Sequence, residues 1–319
     1  METVKIDEQQ VLVKLKRNLE ACILGKQEEI VLLLTALLAG GHVLIEDVPG
    51  TGKTVLIKAL AKSIEGEYRR IQCNPDLLPT DITGVSIFHP KEQSFVFRPG
   101  PVMTNILLAD EINRATTKTQ SALLEAMEER RVTVDGESYV LPQPFLLLAT
   151  QNPIDFEGTY VLPEAQMDRF MLKLTLGYPD ATMEHKMVIA QSINHPLDSL
   201  QAVAHLDDIK ALQKRVRELH MDDTVAHYAV SITRQTREQE AIELGASPRA
   251  TLALIQAAKA YALLAGRDYV IPDDIKYLVP FVLGHRILLH AEARMEGVTV
   301  QTALQQVLQQ VRVPVRMEK

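Results

Sequence analysis

A short apolar run leads directly into a glycine-rich loop and a Lys-Thr pair in residues 42–54, which read HVLIEDVPGTGKT. The run 42–46 has the length of a buried parallel strand, and the residues from Val55 to Lys62 have a helical pattern. Glycines let successive backbone N–H groups point into one concavity, to which the positive end of the following helix dipole adds. Strand, loop and helix in this order predict a phosphate-binding P-loop, whereas the plainer alternative is a tight turn with a surface lysine.

Within this loop we expect Lys53 to reach the β and γ phosphates of ATP and the Thr54 hydroxyl to coordinate Mg²⁺. Asp47 stands where the general pattern G-x-x-x-x-G-K-[ST] has its first glycine. Aspartate tolerates turn conformations, but its charge must point away from the phosphates. The residues expected to bind the nucleotide here are Val48, Pro49, Gly50, Thr51, Gly52, Lys53, Thr54 and Val55.

Polar residues also follow two further apolar runs. Asp110 and Glu111 follow the run 106–109, at the end of a strand where ligands bind open α/β sheets. Asp110 would hold Mg²⁺ or its water, and Glu111 would polarise the attacking water as a general base, although an acid after a strand is also a common helix cap. Asn152, after the run 145–149, could orient that water or contact the γ-phosphate, although asparagine before proline is also a common turn residue.

The chain changes character near residues 177–180. Before this point strand-like runs, the last at 171–174, alternate with helical stretches, which predicts an α/β fold with a parallel sheet. After it the helical period dominates, as in the i, i+3, i+4, i+7 set Val225, Tyr228, Ala229 and Ile232. We therefore expect an α/β domain over residues 1–178 and a smaller all-helical domain over residues 179–319.

Two β-hairpins are predicted inside the first domain. Residues 132–134 and 138–141 flank Asp135-Gly136, a pair that suits a two-residue type I′ turn. Residues 85–88 and 95–97 alternate on either side of a polar turn and give a weaker hairpin signal.

Composition excludes several classes of protein. Among 319 residues, 34 Lys and Arg against 41 Asp and Glu give a formal charge of −7, which excludes a generally basic nucleic-acid coat. Two cysteines, Cys22 and Cys73, are too few for a disulfide framework or a zinc site. The polar start METVKIDEQQ does not read as a signal peptide, and the longest apolar run, 30–39, is about half the length of a membrane-spanning helix. We expect a soluble cytoplasmic protein.

Taken together, the motifs resemble those of the AAA+ ATPases, and the particular residues within them resemble those of the MoxR family. The segments that carry the likeness are EDVPG (46–50), DEINRA (110–115), ATQNP (149–153), LPEAQMDRF (162–170) and GASPRA (245–250). That family commonly has aspartate at the place of Asp47. The resemblance covers nearly the whole chain and implies a P-loop parallel αβα AAA+ core, hairpin inserts near 84–98 and 132–141 that face the pore of a ring, and a helical lid.

The resemblance also implies roles for individual residues. Residues 50–54 correspond to Walker A, Asp110 and Glu111 to Walker B, and Asn152 to sensor 1. Arg169 corresponds to the arginine finger that a subunit supplies to its neighbour's ATP, and Arg249 to sensor 2.

The residues themselves leave alternatives at both arginines. Arg249 lies in the first turn of a predicted helix, where the dipole disfavours positive charge by roughly 0.3 to 1 kcal/mol. A phosphate would remove that conflict, but a solvated Arg249 is also tolerable. Arg169 could instead form a salt bridge with Asp168 or Glu164. The roles of Arg114, His285 and Arg286 stay open between subunit-interface contacts and ordinary helix-surface positions.

An arginine that acts in trans makes each subunit interface heterologous, so repetition closes a ring or extends a filament. The resemblance favours a hexameric ring that remodels, matures or activates partner protein complexes, often with von Willebrand factor A proteins. A nucleic-acid motor is the first alternative. The acidic net charge argues against it, as does a hairpin turn in which Lys91 is the only basic residue. An ATPase subunit of a metal chelatase is the second, and apart from the predicted Mg²⁺ site we find no metal-ligand spacing.

Overall fold

The computed structural model of the chain describes residues 8–48, 50–91, 93–152, 159–193 and 196–314, without the side chains of 188–193. It divides into two compact units. The first is drawn from Met1–Leu33, His42–Leu162 and Leu174–Ala211, and the second from Leu34–Gly41, Pro163–Lys173 and Leu212–Lys319. The domain boundary expected between residues 178 and 179 stays a prediction.

Up to residue 199 the elements are α1 (Glu8–Cys22), α2 (Gln27–Ala39), β1 (Val43–Glu46), α3 (Lys53–Ser63), β2 (Tyr68–Gln72), α4 (Pro79–Thr83), β3 (Gly84–His89), β4 (Ser94–Pro99), β5 (Ile106–Asp110), a 3-10 turn (Ile112–Arg114), α5 (Thr117–Glu129), β6 (Arg131–Val134), β7 (Glu137–Val140), β8 (Leu146–Gln151), α6 (Glu164–Met167), β9 (Leu172–Leu174), α7 (Ala181–Ile193) and α8 (Pro196–Ser199). They are followed by α9 (Leu206–Glu218), α10 (Asp223–Gln235), β10 (Ile242–Leu244), α11 (Pro248–Leu264), α12 (Pro272–Leu283), a second 3-10 turn (Gly284–Arg286), β11 (Leu288–Leu289), α13 (Ala291–Met295) and α14 (Val300–Gln310).

The central sheet has five strands in the order β2-β5-β8-β1-β9. The pairs β2–β5, β5–β8 and β8–β1 are parallel, and for β5–β8 and β8–β1 this arrangement was predicted from their apolar runs. In β1, β5 and β8 all residues except the last of each strand are buried, because a parallel sheet is covered on both faces. The polar residues that follow these strands therefore meet at one edge of the sheet.

Strand β2 was not predicted from the sequence. Its residues, YRRIQ, include only one buried side chain, that of Ile71. A strand at the edge of a sheet needs no continuous apolar run. In a segment this short, neither such a run nor an alternation of apolar and polar residues is visible.

The two predicted hairpins are present as β3–β4 and β6–β7. Asp135 and Gly136 have φ values of 51° and 84°, as a type I′ turn requires. At the base of the other hairpin, a Cβ on Gly84 would clash with the Arg98 carbonyl oxygen, and one on Gly100 would clash with that of Ile82. Only glycine fits at either position, because the backbones approach each other so closely.

The start of β1 is fixed by a buried histidine. The backbone N–H of Leu147 donates to His42 Nδ1 at 2.9 Å, and Nε2 lies 3.2 Å from the carbonyl oxygen of Met127. Burial, and secondarily the charge of Arg130, lowers the pKa of His42 to about 3. The ring is therefore neutral, accepts through Nδ1 and donates through Nε2, which links β1 to β8 and α5.

The helical second domain needs one correction. Most of its elements are helices, and Val225, Tyr228, Ala229 and Ile232 are buried as the periodicity predicted. However, β10 and β11 form a short antiparallel pair in which Ile242 and Leu289 are buried. Runs of two and three residues are too short to register as a period-two pattern. Among the described residues, no helix combines the length and the apolarity needed to cross a membrane.

Candidate functional site

The loop between β1 and α3 has the backbone geometry of an anion cradle. Gly50 and Gly52 have φ values of 86° and 90°, a left-handed conformation that favours glycine. Gly52 is the N-cap of α3, so the positive end of the helix dipole lies at the loop. Lys53 Nζ donates to the Val48 carbonyl oxygen at 2.7 Å. Pro49, which was predicted to bind nucleotide, lies outside the described residues.

Asp47 is buried and its carboxylate is engaged by backbone N–H groups. Oδ1 accepts from Val48 N at 2.8 Å, and Oδ2 accepts from Gly177 N at 3.1 Å. The acid in the place of the first glycine thus has its charge compensated locally. The requirement that its charge point away from the phosphates stays a prediction.

Both oxygens of Asp110, the last residue of β5, have partners. Thr150 Oγ1 donates to Oδ1 at 2.6 Å, and Arg70 donates to Oδ2 from Nη2 at 2.6 Å and from Nε at 3.1 Å. Arg70 comes from β2, the strand that the sequence did not reveal, and its side chain is 47% exposed. The carboxylate is therefore oriented by residues on both neighbouring strands.

Glu111 has an unusual backbone, with φ 56° and ψ 53°. Non-glycine residues in this region are uncommon and often lie at functional sites. Its N–H donates to Thr150 Oγ1 at 2.8 Å, and its Oε2 lies 2.9 Å from Arg114 Nε. Thr150 thus fixes Asp110 and Glu111 together, and Arg114, whose role was open, holds the Glu111 carboxylate.

The two acids also act on the thiol of Cys73. Cys73 donates its backbone N–H to the Asp110 carbonyl oxygen at 2.9 Å. Burial, followed by the charges of Asp110 and Glu111, raises the pKa of the Cys73 thiol to about 12. The thiol is therefore protonated at neutral pH and is not a nucleophile.

A cavity of about 310 Å³ joins these groups within the first unit. It brings together Lys53, Thr54, Asp110, Glu111 and Asn152, as the sequence predicted for a site at the ends of the strands. Its complete lining is Asp47, Gly50, Thr51, Gly52, Lys53, Thr54, Val55, Arg70, Gln72, Asp110, Glu111, Thr150, Gln151 and Asn152. Sequence reasoning missed Arg70, Gln72, Thr150 and Gln151; recognition of β2 and its alternation would have found the first two.

Two predicted site residues belong to the second unit. Arg249 is the second residue of α11, whose N-cap Ser247 accepts through Oγ from Ala250 N at 3.2 Å. Arg169 follows α6 and precedes Phe170, which is fully buried. Asp168, a possible partner of Arg169, pairs with Arg286 Nε at 2.7 Å.

Comparisons with known proteins agree with this fold. Residues 42–172 match the model of the ATPase family associated with various cellular activities (AAA), and residues 234–307 match the AAA lid domain. A crystal structure of a protein from Cytophaga hutchinsonii, assigned as an ATPase, superposes with a TM-score of 0.90 at 36% identity and covers 97% of this chain and 96% of that one. The fold and the site define an ATPase of the AAA class.

Relatives narrow the class further. The chain is 51% identical to the uncharacterized protein YeaC of Bacillus subtilis over 96% of each chain. It is 40% identical to Chaperone MoxR1 of Mycobacterium tuberculosis over 92% of this chain and 79% of the relative, and 30% identical to Protein MoxR of Paracoccus denitrificans over 85% and 86%. The chain belongs to the MoxR family of AAA+ ATPases.

Proposed function

We propose that this ATPase uses Mg²⁺-dependent ATP hydrolysis in a hexameric cytoplasmic ring to remodel, mature or activate partner protein complexes. The observation that carries the reaction is the single cavity shared by the phosphate loop and the two acids. The chaperone name of the mycobacterial relative supports a protein substrate. Proteins with von Willebrand factor A domains are the partners that the family resemblance favours.

The donor set of the cavity fits Mg²⁺. The Thr54 hydroxyl and the Asp110 carboxylate line the same cavity and are hard oxygen donors, the ligands that Mg²⁺ prefers. We assign these two residues to the ion, which when bound would neutralise charge on the phosphates.

The remaining groups have complementary roles in hydrolysis. Glu111 takes a proton from water as the water oxygen bonds to the γ-phosphorus. The bond from that phosphorus to the β–γ bridging oxygen breaks, and its electron pair leaves with ADP. Lys53 compensates charge on the β and γ phosphates, and Asn152 orients the water. Arg114 Nε lies 2.9 Å from Glu111 Oε2 and orients that carboxylate.

The proposal assigns the last two cations to different nucleotides. Arg249, in the first turn of α11, senses the nucleotide of its own subunit. Arg169 reaches the nucleotide of the neighbouring subunit and stabilises charge on the transferring phosphoryl group. The loop residues Val48, Pro49, Gly50, Thr51, Gly52 and Val55 complete the nucleotide contacts.

Remodelling activity can be tested on a heat-denatured model protein such as citrate synthase. We expect the parent chain with ATP and Mg²⁺ to raise the recovered citrate synthase activity, whereas Glu111→Gln, which binds but does not hydrolyse ATP, gives no recovery. Light scattering, recovered activity and phosphate release are measured in parallel. ATP hydrolysis without any recovery, combined with stimulation by single-stranded DNA, would contradict the protein-directed role and favour the nucleic-acid alternative.

A further inference from the structure

The turn that carries Arg169 is held by a buried arginine of the same unit. Arg286, whose side chain is 2% exposed, donates from Nε to Asp168 Oδ1 at 2.7 Å. Its Nη2 donates to the carbonyl oxygens of Asp168 at 2.9 Å and of Phe170 at 2.6 Å. Arg286 therefore hydrogen-bonds to the backbone carbonyl groups of the residues immediately before and after Arg169.

His285 strengthens this anchor without adding charge. Burial, and secondarily the charge of Arg286, holds the pKa of His285 well below its usual range, so the ring is neutral. Its Nε2 lies 3.0 Å from the carbonyl oxygen of Phe170, which Arg286 also contacts. The His285-Arg286 pair, whose role the sequence left open, thus fixes the conformation of the Arg169 turn.

The second carboxylate oxygen of Asp168 leads to Arg249. Ser247 Oγ donates to Asp168 Oδ2 at 2.9 Å, and the same hydroxyl oxygen caps α11 by accepting from Ala250 N. Arg249 lies between Ser247 and Ala250, and its charge contributes to lowering the pKa of Arg286, after burial. Asp168 is thus the anion that joins the turn of Arg169 to the first turn of Arg249.

We infer that Asp168, with Ser247 and Arg286, is a positioning residue that couples Arg169 to Arg249. The inference rests on the proposed roles of the two arginines at neighbouring nucleotides. Separating Asp168 from Arg286 would leave a largely buried charge uncompensated, so Asp168 stays with the turn. Because Ser247 donates to the same carboxylate, the turn and the start of α11 move together. A displacement of Arg249 on nucleotide binding is then transmitted to Arg169, and the occupancy of one site sets the activity of the next.

The test deletes the link between Ser247 and Asp168 at a small cost to the cap of α11. Ser247→Gly removes the hydroxyl at a small cost in capping, whereas Ser247→Asn keeps a capping oxygen and an N–H donor for Asp168. Thr299→Gly is the matched control, because Thr299 caps α14 in the same unit by accepting from Thr302 N at 3.1 Å. For each variant we measure the Kd of a fluorescent ATP analogue, kcat, the Hill coefficient for ATP and the melting temperature.

We expect Ser247→Gly to lower kcat by about tenfold and the Hill coefficient towards about 1, because a small misplacement of a catalytic group is costly. Its nucleotide Kd should stay within about twofold of the parent, and Ser247→Asn should keep most of the parental kcat. If Ser247→Gly melts far below Thr299→Gly, Ser247→Asp serves as the second variant, because it keeps a capping oxygen but has no donor for Asp168, and it should give the same kinetic change.

Two results would overturn the inference. One is a Ser247→Gly variant with the kcat and Hill coefficient of Thr299→Gly; the other is a loss confined to nucleotide Kd, which would indicate a purely local cap. Failure of the proposed function looks different, because Arg169→Ala, measured alongside, would then retain the parental kcat.

Discussion

At the scale of single residues, Arg70 beside Asp110 bears most directly on how the site would bind the proposed Mg²⁺. Arg70 uses two nitrogen atoms on Asp110 Oδ2, while Thr150 occupies Oδ1. A half-exposed ion pair of this kind contributes at most about 1 kcal/mol. An energy of this size would change the affinity for the proposed Mg²⁺, because the Arg70 guanidinium and the ion would compete for the Asp110 carboxylate.

Arg70→Ala should therefore lower the Mg²⁺ concentration needed for half-maximal binding of a fluorescent ATP analogue, by about two- to fivefold. Arg69→Ala is the control, because Arg69 immediately precedes Arg70 on the same strand and its side chain is similarly exposed, at 41%. Arg69 pairs with Glu67 and not with Asp110. The measurement is a Mg²⁺ titration at fixed nucleotide. An unchanged or higher Mg²⁺ requirement in Arg70→Ala would show that Arg70 does not compete for Asp110.

The residues that sequence could place and those it could not differ in a physical way. Lys53, Thr54 and Asp110 follow a strand at fixed spacing, so local sequence carries their position. Arg70 reaches the cavity only through the pairing of β2 with β5, a contact between distant segments. Arg286 likewise contacts Asp168 across 118 positions of sequence, and no local pattern could reveal that pair.

At the scale of secondary-structure elements, the neutral His42 is the clearest source of pH sensitivity. Its folded pKa of about 3 lies below the ordinary 6.5 of an exposed histidine. Below about pH 6.5 the unfolded chain binds a proton that the folded chain does not, so stability falls as the pH drops towards 3. The slope from this one group is at most about 1.4 kcal/mol per pH unit.

His42→Gln should flatten that slope, because an amide can accept from Leu147 N and donate to the Met127 carbonyl oxygen without titrating. The measurement is urea unfolding of the parent and the variant from about pH 7.5 to about pH 5, with the slopes compared. Some slope should remain, since His285 is also buried and neutral. Equal slopes in the two proteins would show that His42 is not the titrating group.

Elements were predictable where a strong local rule acts. The type I′ turn at Asp135-Gly136 and the buried parallel strands each have such a rule. Strand β2 and the pair β10–β11 are defined by their partners, because their own residues carry too little periodicity.

At the scale of the whole molecule, the residues proposed for the chemistry are divided between two compact units. The first holds the phosphate loop, the two acids and their cavity, and the second holds Arg169 and Arg249. Residues of both units match the AAA family models, since one matched segment covers residues 42–172 and the other covers residues 234–307. We propose that a complete active site needs the first unit of one subunit and Arg169 of its neighbour.

Subunit mixing tests that claim most directly. Arg169→Ala keeps its own acids and Glu111→Gln keeps its arginine, so each variant alone should lack steady-state ATP hydrolysis. In a random equal mixture, about a quarter of the interfaces combine an intact Glu111 with a neighbouring intact Arg169. Mixing should therefore restore ATP hydrolysis to at most about a quarter of the parental rate per subunit. Mixtures no more active than the two variants measured separately would contradict a shared site.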